Sequence, residues 1–485
     1  MTALNLDRLF NPRSIAMIGA SATPGKWGNI ILLNILKGNF KGRIFPVNPK
    51  AEKILGYPCY ARVQDIPETI DMALITTPSQ SILPLIDACG EKQIPFLVVV
   101  TSNFSETGDA GAKLEKEMIA RAATYGIRIV GPNTMGIYSA ESELHALMPM
   151  LMPLKGSVSM FSQSGNVGVQ MMDYGQKEGV GFEKFVSSGN EGDLNNVDYL
   201  KYFAEDENTR VILGYIEGVD PGTGFLPTVR SISKSKPIVM FKGGRTEVGS
   251  RAAASHTGSL AGTREINRAA FRQAGIMEVQ CSLELIDCAK AFANYPIPKG
   301  NRVGIITRGG GWGVITADSC EEAGLVVPPL PDDMIRRIDQ ILPDYWNRGN
   351  PVDLVATVAD DPMPEILTML AEWDGVDAVI ALGAGFRSFN FEYSPDVTGP
   401  PELIETMRFM KNLFDNTANA PDKILQLIAD LVKKTGKPII SVSTGSQYSH
   451  KEFTERYKIV SFPTPERAVK VLKIMCEYHQ IRQSR

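Results

Sequence analysis

From residue 14 to residue 130, short apolar runs alternate with segments whose apolar positions recur at helical spacing. SIAMIG (14–19), GRIFPV (42–47), MALITT (72–77), FLVVVT (96–101) and IRIV (127–130) read as strands. Residues 29–37 and 81–89 read as helices between them. This alternation predicts a parallel sheet with helices on both faces. Sheets of that kind bind ligands outside the carboxyl ends of their strands. Here those ends read Gly19-Ala20-Ser21, Asn48-Pro49-Lys50, Thr77-Pro78-Ser79 and Thr101-Ser102.

The rest of the chain contains an internal repeat. FSQSGNVGVQMMDYGQKEGVGF (161–182) aligns without a gap to ITRGGGWGVITADSCEEAGLVV (306–327). Gly165, Gly168, Val169, Asp173 and Gly179 recur as Gly310, Gly313, Val314, Asp318 and Gly324. SSGNEGDL (187–194) is matched to NRGNPVDL (347–354), VILGYIEG (211–218) to AVIALGAG (378–385), and Lys236-Pro237-Ile238 to Lys437-Pro438-Ile439. One α/β domain is therefore expected twice, at 150–295 and 300–475, behind an N-terminal domain at 1–145. The Pro-bearing stretch YPIPKGNR (295–302) is the expected linker. The copies differ in one place. Lys236 to Gly275 spans 39 residues, and the matching Lys437 to Lys458 spans 21. The first copy's extra residues fall in GGRTEVGSRAAASHTGSLAG (243–262), which carries His256. Insertions of that size are usually functional or disordered.

Composition narrows the function classes. Hydrophobic residues make up 44% and charged residues 21%, the balance of a globular protein of about three domains. A net charge of −4 offers no basic field for a nucleic acid or an anionic membrane. No apolar run approaches the roughly 18 residues of a spanning helix, and the first 14 residues lack a secretory pattern. The expected location is cytoplasmic. No pair among the six cysteines has zinc-ligand spacing, and four histidines make a histidine metal site an unpromising reading; no metal is expected.

The candidate chemistry centres on His256. Its flanking Gly, Ala and Ser residues let the segment lie close to another surface and present one imidazole. Glu217, at a strand end in the same copy, has Ala384 as its counterpart in the second copy. A carboxylate accepting from one imidazole nitrogen makes the other a nucleophile. Two glycine-rich turns, Ser164-Gly165-Asn166-Val167-Gly168 and Gly309-Gly310-Gly311-Trp312-Gly313, each follow a strand and open a helix. Free N–H groups at a helix start favour a phosphoryl group. A third glycine-bearing stretch, GASATPGKWGN (19–29), lacks G-x-G-x-x-G, and the second strand ends in VNPK without the acid of a nicotinamide binder. Lys26 and Lys50 could meet the phosphates of another nucleotide-like cofactor. No G-x-x-x-x-G-K-[ST] occurs, and with three domains counted a nucleotide-activating domain is not expected within these residues.

SHTGSLAG around His256, SQSGNVG (162–168), GNEGD (189–193), GPNTMG (131–136) and NPRSIAMIGAS (11–21) together resemble the α subunit of NDP-forming acyl-CoA synthetases. That family includes ADP-forming acetate–CoA ligase and, more distantly, succinyl-CoA synthetase. The resemblance implies an α/β fold with an N-terminal Rossmann-like CoA-binding domain, then two duplicated flavodoxin-like domains. It implies phosphorylation of His256, with Glu217 as its hydrogen-bonding carboxylate. Ser164, Gly165 and Asn166 match one phosphate-binding helix start; Gly309, Gly310 and Gly311 match the other. CoA contacts carry over to Gly19, Ser21, Ala22, Thr23, Pro24, Lys26, Lys50, Thr77, Pro78 and Thr101. Substrate contacts carry over to Asn133 and Val169. Val169 replaces an aromatic residue of succinyl-CoA synthetase, which points to a monocarboxylate such as acetate. Trp312, bulky for that place, could narrow the phosphate or acyl pocket or only cap the helix packing. The implied reaction is acyl-CoA + ADP + phosphate ⇌ acid + ATP + CoA. Its nucleotide and Mg²⁺ site lies in an ATP-grasp β subunit, expected as the partner in an α2β2 assembly. Two other readings stand beside this one: a non-catalytic CoA-binding regulator with the same fold, and an NAD-dependent oxidoreductase.

Overall fold

A computed structural model describes residues 5–219, 224–251, 264–355, 361–385, 399–416, 420–443 and 450–483. The described chain forms two compact units, one of residues 1–176 with 180–289, the other of 177–179 with 290–485.

The first unit holds two larger sheets and one small hairpin. In the first sheet, β1 (Ser14–Ile18), β2 (Arg43–Val47), β5 (Met72–Ile75), β6 (Phe96–Val99) and β7 (Arg128–Val130) pair in parallel, in the order β2-β1-β5-β6-β7. The short strands β3 (Lys53–Ile54) and β4 (Tyr57–Pro58) make the hairpin beside it. The near-continuous apolar runs follow from burial on both faces. Ile15, Met17, Met72, Leu74, Phe96 and Val98 enter one core, while Ala16, Ile18, Ala73, Ile75, Leu97 and Val99 enter another. That is the period-two alternation of a strand made visible.

The second sheet contains β8 (Gly136–Ser139), β9 (Leu144–Leu147), β10 (Lys155–Ser162), β11 (Phe182–Ser187), β12 (Val211–Ile216), β13 (Ile238–Lys242) and β14 (Met277–Val279). Its order is β14-β13-β12-β10-β11-β8-β9. The strands β8 and β9 join it antiparallel, so residues 136–147 complete this sheet rather than the first. Ile137, Leu144, Phe161, Val186, Ile212 and Met240 share a core with one face of the first sheet.

The second unit holds β15 (Val303–Thr307), β16 (Val352–Asp353), β17 (Ala378–Leu382), β18 (Ile439–Val442) and β19 (Ser461–Phe462), in the order β16-β15-β17-β18-β19. This reproduces the order of the five parallel strands of the second sheet. Registers make the equivalence residue-specific. Ser162 faces Tyr215 as Thr307 faces Leu382, and Ile212 faces Ile238 as Val379 faces Ile439. Gly165–Lys177 and Gly310–Glu322 are helices of 13 residues each, in the same place after β10 and β15. One expected match fails. Ser162 pairs with Ser187, and Thr307 with Asp353, so the counterpart of Ser187 is Asp353 and not Asn347. The shared Gly-Asn dipeptide belongs to the turn after β11 in one copy and the turn before β16 in the other. Among the described residues, no helix is long and apolar enough to cross a membrane.

Candidate functional site

Because β10 and β12 are parallel neighbours, the chain leaves both at the same edge of the sheet. Gln163 bridges the two exits. Its N–H donates to the Tyr215 carbonyl at 3.0 Å. Its carboxamide oxygen accepts from the N–H of Glu217 at 2.6 Å and of Gly218 at 3.1 Å. Its amide nitrogen donates to the Gly218 carbonyl at 3.0 Å and to Glu191 Oε2 at 3.1 Å. Glu217 is buried, 7% exposed, and its Oε1 accepts from the Tyr215 hydroxyl at 3.2 Å. Lys242, at the end of β13, is buried too and donates to the carbonyls of Glu217 and Gly243, each at 2.5 Å. Burial lowers the Lys242 ammonium below the usual lysine range, against the pull of Glu217. The chain then passes close to the carboxylate. A Cβ on Gly243 would lie 2.5 Å from the Tyr215 hydroxyl oxygen and 3.4 Å from Glu217 Cγ. This backbone leads into the segment that carries His256, which lies outside the described residues.

The first glycine turn opens beside this carboxylate. Among the described residues, nothing accepts from the N–H of Gly165 or Asn166, so both remain available to an anion. Gly165 is required by close packing: a Cβ there would sit 2.4 Å from Met135 Cγ and 2.8 Å from Ser187 Oγ. Ser187 Oγ in turn accepts from the Met135 N–H at 3.0 Å. The two quoted motifs around it zip together. Asn190 and Gly192 donate to the carbonyls of Pro132 and Gly131, and Asn133 Nδ2 donates to Asn190 Oδ1 at 3.2 Å.

In the second copy the equivalent strand ends carry different chemistry. Arg308, Ala384 and Ser443 stand where the first copy has Gln163, Glu217 and Lys242. A cavity of about 160 Å³ opens there, lined by Thr307, Arg308, Gly309, Trp312, Leu382, Gly383, Val442 and Ser443. The Ser443 hydroxyl and Arg308 Nε are buried and have no partner among the described residues. A guanidinium nitrogen of Arg308 reaches Asp361 at 2.6 Å. Among the described residues, nothing accepts from the N–H groups of Gly310 and Gly311 either, but a Cβ on Gly310 would lie 2.7 Å from Asp353 Oδ2. A carboxylate suits a bare helix N-terminus. It also makes this turn a poorer host for a second anion than the turn beside neutral Ser187.

A cleft of about 510 Å³ lies at the carboxyl ends of the first sheet's strands. Thr77, Pro78, Thr101 and Asn133 line it, with Trp27, Thr76 and Ser79. The Thr101 hydroxyl donates to the Thr77 carbonyl at 2.6 Å, and the Asn133 N–H to the Thr101 carbonyl at 2.9 Å. Gly19, Ser21, Ala22, Thr23, Pro24, Lys26 and Lys50 do not line this cleft. They belong to neighbouring strand-end loops, tied by Asn29 Nδ2 to the Ser21 carbonyl and Asn48 Nδ2 to the Ala20 carbonyl. Lys26 and Lys50 are exposed. Val169 is buried, 8% exposed, and lines neither cavity.

Sequence reasoning assigned no role to Gln163, Glu191, Lys242 or Arg308. The repeat held a signal for Gln163 and Arg308, which are polar at matched strand ends. Glu191 is visible only through its side-chain partner 28 positions away.

Among known proteins, residues 13–140 match the CoA binding domain family, and residues 155–292 match the succinyl-CoA ligase like flavodoxin domain. The chain is 34% identical to acetate–CoA ligase [ADP-forming] I subunit alpha of Pyrococcus furiosus, covering 98% of each chain. It is 40% identical to acetate–CoA ligase [ADP-forming] I of Archaeoglobus fulgidus over 78% of its own length, and spans about half of that relative, 54%. The solved acetyl-coenzyme A synthetase 1 of Ca. Korarchaeum cryptofilum, in complex with phosphate and ADP, superposes with a TM-score of 0.85 at 36% identity, covering 99% of this chain and 98% of that one.

Proposed function

Since the chain belongs to the family of ADP-forming acetate–CoA ligase α subunits, we propose that it performs the acyl and phosphohistidine steps of an ADP-forming acyl-CoA synthetase. The observation that carries this reading is the strand-end constellation of Glu217, Gln163 and the free N–H groups of Gly165 and Asn166. It occurs in the copy with the His256 insertion and is replaced in the other.

Inorganic phosphate attacks the thioester carbonyl, which releases CoA and forms an acyl phosphate. An imidazole nitrogen of His256 then takes the phosphoryl group and the carboxylic acid leaves. Glu217 accepts from the other imidazole nitrogen and stabilises the positive charge that develops there. Ser164, Gly165 and Asn166 bind the phosphoryl oxygens through the helix start. The phosphoryl group passes finally to ADP, with Mg²⁺, on an ATP-grasp partner subunit. The cleft at the first sheet takes CoA, with Trp27, Thr77, Pro78 and Thr101 in its wall, and the exposed Lys26 and Lys50 of the neighbouring strand-end loops are assigned to its phosphates. The cavity of about 160 Å³ in the second copy suits a small carboxylate, held by Arg308 and Ser443 and limited by Trp312. We keep Gly309, Gly310 and Gly311 as the second phosphate contact on family resemblance. We propose three domains, CoA-binding (1–145) and two ligase domains (150–295 and 300–475), the strands at 136–147 being lent to the sheet of the second.

The test is the intact mass of the chain after incubation with acetyl phosphate, beside His256→Asn and Glu217→Gln. The expected result is an acid-labile gain of one phosphoryl group, absent in His256→Asn and slowed about a hundredfold or more in Glu217→Gln, the usual size of a lost electrostatic stabiliser. Phosphorylation that survives His256→Asn would overturn the assignment.

A further inference from the structure

We propose that Glu191 is a positioning residue for the phosphoryl site, acting through Gln163 to fix the strand end that carries Glu217. The proposal deepens the reading above and rests on it for the role of Glu217.

The Gln163 carboxamide has one satisfactory orientation. Its oxygen must face the N–H groups of Glu217 and Gly218, because two donors would otherwise meet. Its nitrogen therefore faces the Gly218 carbonyl and Glu191 Oε2. Gln163 also precedes the first glycine turn. One side chain thus holds the phosphate turn and the carboxylate strand end in fixed relation, and Glu191 anchors it from outside that pair.

Glu191 is itself held in an unusual way. It adopts a left-handed backbone with φ of +54°, uncommon for a residue with a side chain. Oε2 also accepts from Asn196 Nδ2 at 3.2 Å. Among the described residues, no partner at hydrogen-bond geometry meets Oε1 or the Asn196 carboxamide oxygen, both buried, although the Ser188 hydroxyl lies near the carboxyl. Buried polar atoms without partners are few in native proteins. Among the described residues no lysine or arginine pairs with Glu191, and Asp198 is the carboxylate whose charge acts on it. Hydrogen bonds from Ser188, Gln163 and the Asn196 backbone favour the charged carboxylate, and burial outweighs them in favour of the neutral acid. Burial pushes the Glu191 carboxyl up to about 7, so near neutral pH it spends much of its time in that form.

Glutamine is isosteric with the neutral acid, and this sets the test. The full-length chain is compared with Glu191→Ala and Glu191→Gln by amide hydrogen exchange and by the rate of phosphorylation from acetyl phosphate. Retained CoA binding reports that the first unit is folded. In Glu191→Ala the amides of Glu217 and Gly218 should exchange about tenfold faster, since each then depends on an unanchored carboxamide. Phosphorylation should slow by about tenfold to a hundredfold, the range for sub-ångström to 1 Å misplacement of a reacting group, with KM for acetyl phosphate nearly unchanged. Glu191→Gln should restore both. Wild-type exchange at Glu217 and Gly218 in Glu191→Ala would overturn the proposal. So would a folded Glu191→Gln as impaired as Glu191→Ala. If the wild-type chain takes no phosphoryl group, the functional reading fails, and the exchange arm still decides whether Glu191 fixes the Glu217 strand end.

Discussion

The charge state of Glu191 has a consequence for stability that can be measured without any assay of activity. Its ordinary value is 4.5 and burial in the fold raises it to about 7. Between those limits the folded state binds more protons than the unfolded state, so stability falls as pH rises. The contribution is fully present below 4.5 and is lost as pH passes through about 7, a change of about 3 kcal/mol. Asp198, nearby, works in the same direction by disfavouring a second negative charge. Urea unfolding of wild type and Glu191→Gln at pH 5 and pH 8 should show the variant gaining on wild type by most of that change, about 2 kcal/mol, at the higher pH, since part is already lost at pH 5. An unchanged difference would place the carboxyl in its ordinary range. Glu191 was written in the sequence within GNEGD, but its partner Gln163 was not deducible there. Side-chain pairs between different loops leave no periodicity. Glu217 was legible because the repeat aligned its strand to residues 378–385 without a gap, and the sheet registers give the same counterpart, Ala384.

At the scale of elements, β12 and β13 do the positioning. Ile216 pairs with Lys242, so the chain exits with Glu217 and Gly243 side by side. The approach is close enough to exclude even a methyl group, because a Cβ on Gly243 would meet the Tyr215 hydroxyl oxygen at 2.5 Å. Gly243→Ala should push Tyr215 and Glu217 apart. The clash is with the polar ends of side chains rather than backbone, so the loss of stability should stay within about 1–3 kcal/mol. Phosphorylation from acetyl phosphate should fall by about a hundredfold, as for other displacements of an orienting group. A folded Gly243→Ala that phosphorylates normally would mean that the Tyr215–Glu217 pair is not part of the site. The elements themselves were mostly readable, because buried parallel strands appear as uninterrupted apolar runs. The turn motif at 187–194 was misaligned because Gly and Asn mark turns generally. Their recurrence does not say on which side of a strand the turn lies.

At the scale of the molecule, the duplication makes one sheet plan serve two chemistries, and the two units allow the assignments to be tested separately. The repeat disclosed the plan. The composition of residues 136–147 did not disclose that these strands complete the second sheet, because an antiparallel edge hairpin reads the same beside either neighbour. The cleft proposed for CoA lies wholly in the first unit, and the cavity proposed for the carboxylate wholly in the second. A ligand that binds only the native state stabilises the unit that holds it, by about 2.7 kcal/mol at a hundredfold excess over its Kd. Calorimetry of the full chain should therefore show CoA raising the unfolding temperature of one transition and a small carboxylate such as acetate raising the other. Hydrogen exchange assigns each transition to residues 5–289 or 290–483. The half-exposed Trp27 in the wall of the CoA cleft provides the control. Trp27→Ala should weaken the CoA-dependent shift and leave the acetate-dependent shift intact, since an aromatic face supplies about 1 kcal/mol or more to a flat or cationic ligand group. If acetate stabilised the first unit instead, Arg308 and Ser443 would have no acid to hold. The acyl site would then have to be sought beside Glu217, where Gln163 and Lys242 already occupy the equivalent strand ends.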